Sequence, residues 1–188
     1  MDTYSFGLGI SEEEGKCMFD SLTELSKHFD PINIVEVGCR EFKTGYTLCK
    51  ICKDLSKNYN YSGIDIVRRD NILPEHMHFI LGDANDEILL EQLPDKFHFV
   101  FIDPCHCKEC VLNQIDIYTK RLVDGGIIAF HDSGINSQGL AMSESHDTSK
   151  DLRVGVKEAL RIVNLESKGY KVFRKVENSP KGIICLQK

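Results

Sequence analysis

Phe97-His98-Phe99-Val100-Phe101-Ile102-Asp103-Pro104-Cys105-His106 decides how this chain folds. An apolar run ends in an aspartate, and a histidine follows three residues later. A second run, Gly126-Ile127-Ile128-Ala129-Phe130-His131-Asp132, closes in the same way. Residues that are apolar on both faces mark central strands of a parallel sheet. Polar residues just past the carboxyl ends of such strands stand where open α/β sheets bind ligands. Two neighbouring strands therefore deliver Asp103, His106, His131 and Asp132 to one crevice.

Working outward, seven strand-like runs lie between turn signals: Ile32–Val37, Tyr61–Ile66, Met77–Leu81, Phe97–Ile102, Ile127–Phe130, Lys171–Val176 and Ile183–Leu186. Helical patterns are expected between the first six. Leu48, Ile51, Cys52 and Leu55 make one apolar stripe, Val111, Ile115, Tyr118 and Leu122 another, and Val156, Leu160 and Val163 a third before the stop at Gly169. A leading helix, about residues 11–29, starts at Ser11, whose hydroxyl caps while Glu14 completes a capping box. Glu177-Asn178-Ser179-Pro180-Lys181-Gly182 is turn chemistry, so the last two strands form an antiparallel hairpin. The expected fold is a single α/β domain over residues 1–188, with a Rossmann-like, doubly wound, seven-stranded and mostly parallel sheet. The long irregular stretch 133–150 follows Asp132 directly and reads as a lid over the crevice.

At 188 residues the chain can bury a real core. A net charge of -6 without a basic block argues against nucleic acid phosphates as partners. The apolar runs are too short to span a bilayer, and the N-terminus lacks the pattern of a secretory signal. The eight cysteines therefore read as reduced thiols in a cytoplasmic protein rather than a disulfide frame.

Several residues carry chemistry. Gly38, in Val35-Glu36-Val37-Gly38-Cys39-Arg40, allows a sharp turn and a close approach to a ligand. Phe42 and Lys43 break the dinucleotide fingerprint, which makes a nicotinamide-dependent enzyme a distant option. Asp65 ends the second strand, where an acid can accept hydrogen bonds from ribose hydroxyls. Asp83, after the third, is either a ligand contact or the N-cap of a helix over Ala84–Leu93. Acidic residues thus close the first four strands, and their repulsion calls for a compensating ligand or cation.

Taken together, Glu36-Val37-Gly38 with Thr44, Gly63-Ile64-Asp65, Gly82-Asp83, Phe101-Ile102-Asp103 with His106, and Gly125-Gly126 leading to His131-Asp132 resemble the class I S-adenosylmethionine-dependent methyltransferases. The likeness covers nearly the whole chain and is closest to the small O-methyltransferase branch, catechol-type and macrocin-type. It implies a small hydroxylated substrate, S-adenosylmethionine as donor, and a Mg²⁺ or similar cation held by Asp103 and Asp132. Glu36, Gly38, Thr44, Asp65, Asp83 and Asp103 would line the cofactor, with Glu36 and Gly38 at its methionine part, Asp65 at the ribose and Asp83 beside the adenine. His106 would take the hydroxyl proton, a task suited to imidazole. Where relatives carry an amide or acid after the second aspartate, this chain has Ser133, which leaves the third metal ligand to His131 or to the lid. The loop also departs from the pattern at Phe42-Lys43, where relatives carry glycines.

A different reading attaches to Cys105-His106-Cys107-Lys108-Glu109-Cys110: a metal-binding or regulatory module on a degenerate methyltransferase fold, with zinc held by Cys105, His106, Cys107 and Cys110. Cys49 and Cys52 form a second C-x-x-C, but Cys52 lies on the apolar stripe of a helix and reads as core. The sequence leaves the oligomeric state open.

Overall fold

The computed structural model describes residues 10–67, 73–105, 107–134, 155–178 and 181–188. The candidate base His106 lies outside the described residues, and so does all but the start of the expected lid at 133–150.

The strands are β1 (Ile32–Val37), β2 (Tyr59–Asp65), β3 (Met77–Leu81), β4 (Phe97–Ile102), β5 (Leu122–His131), β6 (Lys171–Val176) and β7 (Ile183–Gln187). They form one sheet in the order β3-β2-β1-β4-β5-β7-β6. Pairing is parallel from β3 through β5, and β7 runs antiparallel to both β5 and β6. The order reverses between β1 and β4, and a crevice opens at such a switch point beyond the carboxyl ends of the strands. The expected seven-stranded α/β sheet with its closing hairpin is what the chain forms.

Side-chain alternation splits the core in two. Val35, Val37, Val100, Ile102, Ile128 and Phe130 face one cluster, which includes Val111, Ile115 and Tyr118 of α3 (Lys108–Arg121) and Val156 and Ala159 of α4 (Gly155–Val163). Ile34, Phe99, Phe101, Ile127 and Ala129 face the other, with Met18, Leu22 and Leu25 of α1 (Glu12–Ser26) and Leu48, Ile51 and Cys52 of α2 (Lys43–Asp54). Helices therefore cover both faces, and the central strands are dry on each side. The outermost strand, β6, is mostly exposed and carries Lys171, Arg174 and Lys175, charges that discourage pairing with another sheet edge. Among the described residues, no helix is long and apolar enough to cross a membrane.

Several local expectations are corrected. The first helix ends at Ser26, before Pro31 can disturb it, rather than reaching residue 29. No helix separates β2 from β3 among the described residues. The expected helix over Ala84–Leu93 shrinks to a 3₁₀ segment, Glu87–Gln92, capped by Asp86 rather than Asp83. Asn85 and Asp86 follow Asp83 closely, and such side chains compete with helical hydrogen bonding. The Asp83 carboxylate accepts the Asn85 N–H at 2.9 Å instead. Leu122, expected on the second helical stripe, begins β5 and stays buried there.

Candidate active site

Close packing at the switch point begins with Gly38. Its φ of +85° is one that glycine adopts without penalty, and a Cβ there would stand 2.6 Å from the Cα of Pro104. The turns leaving β1 and β4 are thus in backbone contact, and the Asp103 N–H donates to the Val37 carbonyl at 2.9 Å. Phe42, with φ of +61°, caps α2 without a side-chain hydrogen bond. Its ring is buried and stacks edge-on against Phe79, so its bulk serves the core under the loop.

Glu36 is buried near the end of β1 and accepts a hydrogen bond from the Tyr61 hydroxyl. Burial, partly offset by that hydrogen bond and reinforced by Asp103 and Asp65, pushes its carboxyl up to about 8. Thr44 sits, largely buried, in the first turn of α2. Asp65 ends β2 and accepts the N–H groups of Arg40 at 2.8 Å and Val67 at 3.0 Å. A carboxylate has roughly four acceptor positions, so Asp65 ties down the β1–α2 loop and retains capacity for a ligand. Asp83 stands just past β3, with its Oδ1 engaged by both nitrogens of Asn85.

Asp103, His131 and Asp132 meet at the ends of β4 and β5. Asp132 takes a left-handed backbone, φ of +54°, which an aspartate tolerates better than most side chains and which is the kind of local strain found at functional sites. His131 Nδ1 lies 3.1 Å from Asp103 Oδ1 and 3.0 Å from Asp132 Oδ2. On the other side of the ring, Nε2 is 3.7 Å from Glu14 Oε2, an electrostatic contact longer than a hydrogen bond. His131 and Asp132 side chains are 1% exposed and Asp103 is 24% exposed, so Asp103 is the solvent-facing side of this cage. Burial acts to lower the His131 pKa, but the surrounding carboxylates of Asp103, Asp132 and Glu14 overcome it and raise it to about 12. A unit-charge pair at 4 Å is worth about 4 kcal/mol at an effective dielectric near 20, so three acids can outweigh the several kcal/mol that burying one cation costs.

Glu14 is the member that the sequence did not point to as a site residue. It was legible only as half of a capping box, and that box is present: Ser11 N–H donates to Glu14 Oε2 at 2.7 Å, and Glu14 N–H donates to Ser11 Oγ at 3.2 Å. Its other oxygen accepts the Gly182 N–H at 2.7 Å, where β7 is about to begin. A usable signal was present, because Glu14 shares a helical face with Met18, Ser21, Leu22 and Leu25, where an acid is costly unless it has partners.

The donor set fits a divalent cation in kind. One ligand atom from each of Asp103, His131 and Asp132 lies within 4.8 Å of the others. Two carboxylates suit a hard cation, and an imidazole shifts the preference toward Mn²⁺, Fe²⁺ or Zn²⁺. His131 must lose its Nδ1 proton to join them.

A second cluster lies immediately downstream. The sulfurs of Cys105, Cys107 and Cys110 are within 4.8 Å of one another, all half-buried. Burial pushes the Cys105 and Cys110 thiols up from their ordinary range.

The family model described as "Methyltransferase domain", Methyltransf_24, matches residues 35–133, the span from β1 to the end of β5 and its aspartate. No curated protein is similar enough in sequence to count as a relative. Among solved structures, an O-methyltransferase from Bacillus cereus in complex with SAH is 20% identical, with a TM-score of 0.68, over 95% of this chain and 82% of that one. The O-methyltransferase NovP is 11% identical, with a TM-score of 0.69, over 95% and 81%. MycE from the mycinamycin biosynthetic pathway, solved with Mg, SAH and mycinamycin VI, is 14% identical, with a TM-score of 0.62. The match takes in 95% of this chain, which spans half the length of MycE. At these identities the likeness is one of fold.

Proposed function

This chain belongs to the methyltransferase-domain family, and we propose that it transfers the methyl group of S-adenosylmethionine to a hydroxyl oxygen of a small molecule, assisted by a divalent cation. One observation carries the reading: Glu36, Gly38, Asp103, His131 and Asp132 converge at the switch point within the span the family model matches. Gly38 lets the turns leaving β1 and β4 close against each other, which sets the edge of the crevice at the methionine part of the donor, and Glu36 supplies a buried acid beside it. Asp65 has acceptor capacity for ribose hydroxyls, and Asp83 stands at the next strand end for the adenine. Thr44 belongs to the helix turn that follows the Gly38 loop. The cation belongs at Asp103 and Asp132, with His131 as third donor once deprotonated. When bound, it acts as a Lewis acid that lowers the pKa of the acceptor hydroxyl.

His106, three residues beyond Asp103, is assigned the base that takes the hydroxyl proton. The remaining contribution is positional, since in-line displacement needs the oxygen, the methyl carbon and the sulfur aligned. The Mg and SAH in MycE support the choice of cation and donor, and the chain's acidity supports a small molecule over nucleic acid as acceptor. A cytoplasmic setting belongs to the same reading, supported by cysteine usage. Isothermal titration with S-adenosylmethionine should give saturable binding to the full chain, and no heat at millimolar ligand would refute the proposal.

A further inference from the structure

We propose that Cys105, Cys107 and Cys110 form a thiolate site for a soft d¹⁰ cation, zinc first, distinct from the carboxylate cage of Asp103 and Asp132. Sulfurs bound tetrahedrally at about 2.3 Å from one zinc stand about 3.8 Å apart. The Sγ atoms of Cys105 and Cys107 are already 3.7 Å apart, and the Cys110 sulfur is within 4.8 Å of both. Three protein sulfurs are therefore near the spacing that one ion requires.

The backbone supports the same arrangement. Cys107 is the N-cap of α3, and its sulfur accepts the N–H of Cys110 at 3.3 Å. That hydrogen bond fixes the sulfur toward the third ligand and favours its anionic form, as supporting contacts do around metal ligands. The positive end of the α3 dipole lies at the same point and offsets the excess negative charge of three thiolates around a divalent ion. Thiolates select zinc or cuprous ions over magnesium, and only this cluster offers sulfur, so an ion bound here carries a thiolate signature that the cage cannot give. The described residues supply three ligands, and His106 is not counted among them. Water or a small external ligand completes the shell. The effect is to tie Cys105, just past β4, to the first turn of α3.

The test uses the full-length chain, stripped of metal under reducing conditions and titrated with Co²⁺ and then Zn²⁺. The expected result is a sulfur-to-cobalt charge-transfer band saturating at about one equivalent and displaced by zinc. The band should vanish in C105S/C107S/C110S and persist in D103N/D132N. Serine at position 107 keeps the helix capped, so the triple variant should fold, as circular dichroism would verify. A folded triple variant that still shows the band would overturn the proposal, and so would wild-type protein without it. Loss of the band in D103N/D132N that circular dichroism shows to be folded would make the sulfur site dependent on the cage and also overturn it. Failure of S-adenosylmethionine binding would leave this result unaffected, since the readout needs no turnover.

Discussion

Beyond the end of β4 the chain presents two donor sets only two residues apart in sequence. One is oxygen and imidazole, assembled from Asp103, the β5 end at His131 and Asp132, and Glu14 of α1. The other is sulfur, drawn from six consecutive residues, Cys105 to Cys110. The first exists only when the whole sheet and α1 have docked, and it buries a proton among three acids. The second is local in sequence and tied to the first turn of α3. Long-range assembly builds a site whose charge responds to what enters the crevice. Local assembly builds a staple.

The largest effect expected from breaking this contrast is on turnover. Asp103→Ala and Asp132→Ala should each lower cation-dependent methyl transfer by roughly 10²–10³-fold, the equivalent of several kcal/mol of Lewis-acid stabilisation. Retained activity in EDTA would remove the cation from the reading of the cage. Next comes the pH dependence of stability. The folded chain holds the Glu36 proton up to about 8, whereas the unfolded chain releases it near 4.5. The folded state binds more protons between those values, so this group's contribution falls as pH rises through the window. Glu36→Gln should flatten urea midpoints measured from pH 5 to 8, and exceed the wild type at pH 8 by roughly a few kcal/mol. An unchanged slope would show that Glu36 is ionised in the folded protein.

A smaller effect is expected at Glu14. Glu14→Gln removes one charge from the cage and, with a single carbonyl oxygen, can replace only one of the two carboxylate oxygens that accept from Ser11 and Gly182. The His131 pKa should drop from its raised value, read by NMR of the imidazole, with a stability cost of about 1–3 kcal/mol. No movement of that pKa would detach α1 from the electrostatics of the site. The smallest effect belongs to the other C-x-x-C pair. Burial pushes the Cys49 and Cys52 thiols up to about 12 each. Alkylation of the native chain should spare both, and Cys49→Ser with Cys52→Ser should leave zinc stoichiometry unchanged.

What the sequence revealed follows the same division. The ends of β1, β2, β4 and β5 were legible because strands dry on both faces read as unbroken apolar runs, so Glu36, Asp65, Asp103 and Asp132 could be placed by inspection. The Ser11–Glu14 cap was legible because it is local. The second role of Glu14 was not, since its contact with Gly182 spans nearly the entire chain and no window of sequence contains both. Asp83 and Asp86 are chemically equivalent caps three residues apart, and competition among neighbouring polar side chains, rather than propensity, chose between them.

Glu14 has one further consequence. Its two oxygens hold the amides of Ser11 and Gly182, at opposite ends of the described chain, while the same carboxylate leans on His131. A ligand that discharges His131 leaves that carboxylate without its cationic neighbour, and the readjustment is felt where the first helix begins and where the last strand begins. If a ligand binds in the crevice, the exchange of those two amides with solvent is expected to change with occupancy although neither belongs to the cage.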